Sequence, residues 1–222
     1  MSRQRAPEQG LCGVVAETPL GWCGVLLSPA GIRQSTLFLP RRAAAENWIK
    51  REGAGMCADG VPEESEWRGS TMTDDNGHQG DAPSPRPSPF ARERGLRRRE
   101  GGRLSEQVIS RLQDYTGGDR TALQDFPVDL EGHTELQRRV WLTLREIPPG
   151  ETRTYAWLAE RVGLGRSGAR AVGTINGDNP VPLWLPCHRV IASDGTLGGY
   201  AGGLGMKTQL LELEGALPRR MV

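Results

Sequence analysis

The sequence predicts an α+β fold, in which a small sheet-containing N-terminal domain precedes a mostly helical domain. Residues 12–39 hold short β-rich runs, whereas from residue 104 onward apolar residues recur at helical spacing. Between these parts, residues 49–103 contain few aliphatic side chains. Strands followed by helices in separate stretches are typical of the α+β class.

The N-terminal strands are marked by their turns. In CGVVAETPLGWCGVLLSPAGIRQSTLFL, residues 12–39, the segments TPLG and SPAG interrupt the β-rich runs. Proline and glycine at these positions are typical of hairpin connections. We therefore expect a small sheet here.

Residues 49–103 are expected to be a disordered Pro/Arg/Gly-rich insert. The stretch DDNGHQGDAPSPRPSPFARERGLRRREGGR cannot bury enough apolar surface to offset the entropy of ordering the chain. Its arginines could attract phosphates, but a solvated insert is the favoured interpretation.

Two helices are predicted after the insert. In SEQVISRLQDYTGG the helical stripe comprises Val108, Ile109, Leu112 and Tyr115. In TELQRRVWLTLREI the stripe comprises Leu136, Val140, Leu144 and Ile147, and PPG follows it as a stop signal. The apolar faces of both helices should lie in the core.

The segments TYAWLAERVG and SGARAVGTING, joined by LGR, are predicted to form a helix-turn-helix, with Ser167 as the N-cap of the second helix. This second helix carries small residues, so a partner could approach its backbone closely, although an ordinary helix–helix contact explains the same composition. Arg170 is the long side chain among them.

The overall composition excludes several classes of protein. The net charge of +1 gives no overall attraction to nucleic acid. The four cysteines have no CxxC pair, the N-terminus has no apolar signal region, and no run approaches the ~18 apolar residues of a membrane span. We expect a cytoplasmic protein with free thiols and no membrane partner.

Cys187 in NPVPLWLPCHRV could fill the core, bind a metal or react as a nucleophile. Pro186 restricts the local backbone, His188 supplies a base or a cation, and Arg189 adds positive potential that favours a thiolate. These neighbours favour the reactive thiol.

The segment RAVGTINGDNPVPLWLPCHRVIASDGTLGGYAGGLGMKTQLLELEG, residues 170–215, resembles the methylated-DNA–protein-cysteine methyltransferases, the O6-alkylguanine repair proteins. PCHRV is the signature, and IPPGETRTYAWLA and QRRVW also resemble the family. The resemblance is strong over residues 126–215 and loose over residues 12–39 and 105–125.

The resemblance implies a division of the chain. Residues 9–48 and 104–130 would form a ribonuclease H-like N-terminal domain, interrupted by the insert at 49–103. Residues 131–217 would form the C-terminal DNA-binding and alkyl-acceptor domain.

The resemblance also implies a reaction, the irreversible and stoichiometric transfer of a methyl or small alkyl group from O6-alkylguanine in duplex DNA to Cys187. O4-alkylthymine is a further candidate substrate. His188 would act as base through a bound water and Glu214 would orient it, in a monomer that uses no cofactor and no metal.

The other implied roles follow the family's motifs. Asn179 would be the hinge between the helix-turn-helix and the active-site loop, and the Tyr155 hydroxyl would protonate the departing base. The base pocket would comprise Pro182, the backbone carbonyls of Cys187 and Val190, Tyr200, and Ala201, where many relatives have serine.

The same resemblance places the second helix of the helix-turn-helix in the minor groove, where Arg170 would replace the rotated-out guanine in the stack. The rest of this DNA-binding face would comprise Ser167, Ala169 and Gly173.

Three alternatives stay open at this stage. A cysteine hydrolase could use the same thiol, base and carboxylate, and a non-repairing module could bind alkylated DNA, although alkyltransferase-like proteins lack the acceptor cysteine. A structural zinc at Cys12, Cys23 and His133 lacks a recognisable ligand spacing.

Overall fold

The computed structural model describes residues 11–57 and 104–218. Within these ranges the strands are β1 Cys12–Thr18, β2 Gly21–Ser28, β3 Gly31–Ser35, β4 Gly55–Met56, β5 Arg153–Thr154 and β6 Val190–Ile191. The α-helices are α1 Arg42–Arg51, α2 Leu104–Thr116, α3 Glu135–Thr143, α4 Tyr155–Arg161, α5 Ala169–Gly177 and α6 Gly203–Glu214. The combination of an N-terminal sheet and a helical C-terminal part confirms the α+β prediction.

The N-terminal sheet has the strand order β3-β2-β1-β4. β1 pairs with β2 and β2 pairs with β3, both antiparallel, whereas β4 runs parallel to β1. The Thr18–Gly21 pair closes the first hairpin and the Ser28–Gly31 pair closes the second. The turns predicted at TPLG and SPAG are therefore confirmed.

Alternating side chains of the sheet pack on two helices. Val14, Val25 and Leu27 belong to the main core together with residues of α2, whereas Leu26 packs with Ile49 of α1 on the opposite face. Helix α1 lies so close to β1 that a Cβ at Gly13 would overlap the Ile49 side chain. This contact requires glycine at position 13.

The folded part extends past the boundary that the sequence suggested at residue 48. Ile49, expected to begin the insert, is fully buried in α1, and β4 adds a further pair of residues to the edge of the sheet. Helix α1 was not predicted, because its buried side consists of Ala45 and Ile49 alone. The remainder of the expected insert, residues 58–103, lies outside the described residues.

The expectation of free thiols is wrong for two of the cysteines. Cys12 and Cys57 form a disulfide with a Cα–Cα distance of 5.1 Å. Cys12 opens β1 and Cys57 directly follows β4, so the parallel pairing of these strands brings the two residues together. Cys23 and Cys187 are free and buried.

The C-terminal helices follow the predicted stripes. Val108, Leu112 and Tyr115 of α2 are buried, and α3 continues as a 3₁₀ turn at Leu144–Glu146, so the second predicted helix is shorter than expected. Helices α4 and α5 form the helix-turn-helix. Ser167, however, lies inside the 3₁₀ turn Arg166–Gly168, and α5 is preceded by Gly168 without a side-chain cap.

One hydrophobic core includes residues from both halves of the chain. The halves are also joined by backbone contacts, since Ile32 bridges to Val128 and the Ser35 amide donates to the Pro180 carbonyl at 2.9 Å. The sheet thereby abuts the loop that leads to Cys187. Among the described helices, none has the length and apolar character needed to cross a membrane.

Candidate active site

Cys187 opens a 3₁₀ turn, Cys187–Arg189, at the end of the loop that follows α5. The residue is 5% exposed, so its thiol lies just below the surface. Burial raises the pKa of this thiol, and the Asn179 side chain and the Lys207 charge oppose that rise only in part. The resting sulfur is therefore a protonated thiol at neutral pH.

Two asparagines hold the loop. Asn179 accepts from the Val181 amide at 3.0 Å and donates to the Leu185 carbonyl at 2.7 Å, so its side chain spans the turn before Cys187. Asn176, at the end of α5, donates to the Cys187 carbonyl at 3.4 Å. No sequence pattern marks Asn176, because its burial becomes visible only in the folded structure.

His188 is completely buried and follows Cys187 in the same 3₁₀ turn. Its Nε2 is 3.0 Å from Oε1 of Glu214, whereas its Nδ1 has no hydrogen-bond partner within the described residues. Burial lowers the pKa of His188, and the Glu214 carboxylate opposes this. The ring is therefore neutral at rest, with Nε2–H donated to Glu214 and Nδ1 able to accept a proton.

Glu214, the last residue of α6, is fully buried rather than solvated at a helix end. Burial alone would raise its pKa, but hydrogen bonds from His188 and Arg189 lower the pKa to about 2. The carboxylate is consequently ionised at every physiological pH.

Arg189 does not act on the sulfur as the sequence suggested. Its guanidinium donates from Nε to Oε2 of Glu214 at 2.8 Å and from Nη2 to Oε1 at 2.7 Å, and a third bond reaches the Ile147 carbonyl at 2.7 Å. The positive charge is thus neutralised by Glu214, and the expected favouring of the thiolate by Arg189 is wrong.

Lys207 of α6 is the cation that influences the thiol, and the sequence analysis missed it. It is fully buried, and its Nζ donates to the Val190 carbonyl at 2.6 Å and to the Leu197 carbonyl. Burial lowers the pKa of Lys207 to about 8, although the nearby Cys187 opposes this effect. A single lysine in a helix is usually exposed, so the sequence gave no signal for this buried role.

Tyr115 of α2 also reaches the site, which the sequence analysis assigned only to the core stripe. Its hydroxyl donates to Oε1 of Glu214 at 2.8 Å. Burial, followed by the Glu214 charge, raises the pKa of Tyr115 well above its ordinary value. The hydroxyl therefore stays protonated and acts as a donor.

Tyr155 begins α4 and lies half-buried between two glycines. A Cβ at Gly173 would lie 3.7 Å from its ring and one at Gly198 would lie 3.3 Å away, and Gly198 has a φ of +65°. Burial raises the pKa of Tyr155, and the proximity of Cys187 adds to the rise. Gly173 of the helix-turn-helix and Gly198 of the loop after β6 thus hold the Tyr155 side chain near Cys187.

The other residues expected in the base pocket differ in exposure. The Tyr200 hydroxyl is buried, and burial, followed by the proximity of Cys187, raises its pKa well above the ordinary value. The Pro182 carbonyl accepts from Ser35 Oγ at 3.2 Å. The Val190 carbonyl already binds Lys207, so it has one lone pair left for a base, whereas Ala201 is exposed.

Of the expected DNA-binding residues, Ser167 lies in the 3₁₀ turn before α5, and Ala169, Arg170 and Gly173 lie on α5 itself. Arg170 is exposed, and within the described residues its side chain forms no ion pair; Ser167 is exposed, and Ala169 and Gly173 are half-buried. Arg170 precedes Asn176 by about 9 Å along the helix axis. One end of α5 therefore carries a free guanidinium while the other contacts the Cys187 loop.

The described residues contain no group of three or more His, Cys, Asp or Glu side chains placed to hold a metal ion. Of the residues considered for zinc, Cys12 is bonded to Cys57, and the His133 ring stands edge-on to Trp141 with centroids 4.8 Å apart.

Comparisons with known proteins identify relatives of this chain. Residues 135–216 match the family model described as 6-O-methylguanine DNA methyltransferase, DNA binding domain. A methylated-DNA–protein-cysteine methyltransferase of Mycolicibacterium paratuberculosis is 47% identical over 115 residues, which cover 52% of this chain and 68% of that protein.

Solved structures extend the similarity to the N-terminal half. A crystal structure of Mycobacterium tuberculosis O6-methylguanine methyltransferase superposes with a TM-score of 0.57 at 26% identity and covers 93% of both chains. A structure of M. tuberculosis OGT in complex with DNA gives a TM-score of 0.57 at 26% identity and covers 92% of both chains.

The fold and the buried thiol–imidazole–carboxylate arrangement define a DNA-directed transferase that uses its own cysteine. The chain belongs to the family of methylated-DNA–protein-cysteine methyltransferases.

Proposed function

We propose that this protein repairs duplex DNA by transferring a methyl or small alkyl group from O6-alkylguanine to the sulfur of Cys187. The observation that carries the proposal is the buried arrangement in which His188 follows Cys187 in one 3₁₀ turn and donates Nε2–H to Glu214 at 3.0 Å. O4-alkylthymine, which presents the same alkyl–oxygen bond, is a further candidate substrate.

The pKa shifts favour a thiolate that forms only when the substrate is bound. Burial raises the pKa of Cys187 and lowers the pKa of His188, so the resting pair is a neutral thiol and a neutral imidazole. The thiol proton passes to Nδ1 of His188, directly or through a water. The resulting imidazolium is stabilised by the ionised Glu214.

The reaction is a displacement at a saturated carbon. The sulfur–carbon bond forms as the carbon–oxygen bond breaks, and the electron pair of that bond stays on the base. The Tyr155 hydroxyl, which is protonated at neutral pH because burial raises its pKa, donates a proton to the base as the charge develops. In the overall balance the thiol proton ends on guanine, and the products are a thioether and an unmodified base.

The target base has to leave the helical stack to reach a thiol that lies below the surface. Rotation of the base costs a few kcal/mol. The small residues of α5, including Ala169 and Gly173, let this helix approach the minor groove, and the free Arg170 side chain fills the vacated position. Contacts mainly to phosphate and sugar predict little sequence preference.

The thioether is stable, and the described residues offer no group positioned to cleave it, so each molecule would react once. We propose that the protein acts as a monomer. The cytoplasmic location stays a prediction, because the Cys12–Cys57 pair weakens the argument from free thiols.

The test is incubation with a duplex containing one O6-methylguanine, followed by mass spectrometry of the peptide that holds Cys187. We expect this peptide to gain the mass of one methylene group, with one methyl group transferred per protein molecule. Cys187→Ser should abolish the transfer. Cys23→Ser, which removes the other free buried thiol, should retain it.

The other outcomes identify the competing functions. An unmodified Cys187 peptide together with tight binding to the alkylated duplex would indicate a non-repairing DNA-binding module. An unmodified peptide together with turnover of a peptide or ester substrate would indicate a cysteine hydrolase. Either result overturns the proposal.

A further inference from the structure

Tyr115 couples the N-terminal half of the chain to the relay around Cys187. It lies on α2, ninety-nine residues before Glu214, and is 1% exposed. Its neighbours on the buried stripe, Val108 and Leu112, are purely apolar. A hydroxyl at such a position costs free energy unless it is hydrogen-bonded, and its acceptor is Oε1 of Glu214 at 2.8 Å.

The two oxygens of Glu214 are loaded unequally. Oε1 accepts from Tyr115, His188 and Arg189, whereas Oε2 accepts from Arg189. The Tyr115 hydroxyl therefore shares the oxygen that holds the imidazole. A donor on this oxygen fixes the rotation of the carboxylate and also makes it a weaker base.

We propose that Tyr115 is a positioning residue for alkyl transfer, which orients Glu214 and limits its basicity so that His188 stays neutral until it receives the thiol proton. This inference rests on the proposed function for its kinetic consequence. Its structural consequence, an altered imidazole, does not depend on transfer. The N-terminal half thereby contributes a side chain to the relay.

Several charged and titratable groups face this relay, and the direction of the effect depends on all of them. The groups around His188 and Glu214 are Arg189, Lys207, Tyr115, Tyr200 and Cys187. Tyr115→Phe leaves the cations in place and removes one neutral donor from Glu214. The carboxylate then becomes more basic and stabilises the imidazolium more strongly, so the pKa of His188 rises.

The decisive measurement is an NMR titration of the His188 imidazole in the unreacted protein, with wild type and Tyr115→Phe compared. We expect the midpoint to move to higher pH in the variant. The single-turnover rate of methyl transfer at neutral pH should fall about tenfold, because a carboxylate that has lost the Tyr115 donor is free to rotate and no longer holds the imidazole in line with the thiol proton. The affinity for unmodified duplex should stay the same.

The matched control is Thr116→Val, which removes a neighbouring buried hydroxyl of α2 that bonds to the Leu112 carbonyl of its own helix. This variant should change neither the His188 midpoint nor the rate. In a Glu214→Gln background, Tyr115→Phe should have little further effect on the rate, because its partner charge is already gone.

The outcomes separate the two proposals. A His188 midpoint that is unchanged or lower in Tyr115→Phe overturns the positioning role, whatever the rates are. A wild-type protein that transfers no methyl group overturns the proposed function, while the imidazole titration still tests the contact between Tyr115 and Glu214.

Discussion

At the scale of single residues, the chemistry depends on which charges face the Cys187 sulfur. Arg189 is a close neighbour of Cys187 in sequence, yet its guanidinium binds Glu214. Lys207, twenty residues further along the chain on α6, is the cation whose charge acts on the thiol. Consecutive side chains in a tight turn diverge, so proximity in sequence is a poor guide to electrostatic partners. The sequence and its family resemblance therefore predicted a thiol, a base and a carboxylate that the structure brings into one region, but assigned the cation incorrectly.

The role of Lys207 can be tested with Lys207→Met, which keeps the length of the side chain and removes its charge. We expect the pKa of the Cys187 thiol to rise further and methyl transfer to slow by about tenfold or more, because a buried cation stabilises a developing thiolate. The measurements are thiol reactivity as a function of pH and single-turnover transfer.

The control for this variant is Lys50→Met on α1, an exposed lysine at the far side of the sheet. It should leave both quantities unchanged. A Lys207→Met protein that is folded and reacts at the wild-type rate at neutral pH would contradict the assignment.

Glu214 makes folding stability depend on pH. Its folded-state pKa of about 2 lies below the ordinary 4.5, so the stabilisation is present above pH 4.5 and is lost as the pH falls toward 2. This shift corresponds to about 3 kcal/mol. Urea unfolding of the wild type should therefore show a steep loss of free energy of unfolding over this window.

Glu214→Gln should flatten that pH dependence. At neutral pH it should also lower the free energy of unfolding by about 3–5 kcal/mol, because the buried Arg189 loses its counter-charge. Glu212→Gln, on the same helix, makes the same charge change and leaves the Glu214–Arg189 ion pair in place. Glu212→Gln should keep the wild-type acid dependence. If Glu214→Gln kept it as well, the stabilising role of Glu214 would be disproved.

At the scale of elements, local sequence patterns were sufficient to predict the strands and helices in which apolar residues recur at regular spacing. Proline–glycine turns and β-rich runs predicted both hairpins, and the Val108–Leu112–Tyr115 stripe predicted α2. Helix α1 was missed because it buries little more than Ala45 and Ile49, too short a stripe for periodicity to register. The N-cap assigned to Ser167 was wrong because a 3₁₀ turn precedes α5.

The role of α5 in extruding the base is tested by Arg170→Ala. We expect transfer from O6-methylguanine in duplex DNA to slow by about tenfold or more, since unstacking a base costs a few kcal/mol that an inserted side chain offsets. Reaction with the free alkylated base should keep its rate. Single-turnover assays with both substrates provide the comparison.

Arg166→Ala is the matched control. It removes an arginine of the 3₁₀ turn before α5, and this arginine is paired with Glu160 of α4. Its effect on the duplex reaction should be small. An equal loss on duplex and on free base in Arg170→Ala would mean that Arg170 supports the active site itself rather than base extrusion.

At the scale of the whole molecule, the two halves share one core, and α2 reaches Glu214 through Tyr115. The Cys12–Cys57 disulfide links β1 to the residue that follows β4, across a sequence separation of 45. Such a link restricts the unfolded chain and thereby favours the folded state.

Replacing both cysteines, Cys12→Ser with Cys57→Ser, should lower the free energy of unfolding by about 2–4 kcal/mol. Under reducing conditions the wild type should unfold at the same urea concentration as this double variant, whereas the double variant should not respond to the reductant. A wild type that is insensitive to reductant would show that the two thiols are unpaired in solution. Methyl transfer should persist in the variant.

The sequence by itself determined the α+β class, the hairpins and the helix-turn-helix, because these depend on local periodicity and turn residues. Its resemblance to the family predicted Cys187, His188 and Glu214 as a group. Only the tertiary structure decided that Lys207 is the cation near the thiol, that Tyr115 and Arg189 bind Glu214, and that Cys12 pairs with Cys57. These contacts join residues far apart in the chain, and their partners are selected by burial and charge compensation in the folded core, which no local pattern encodes.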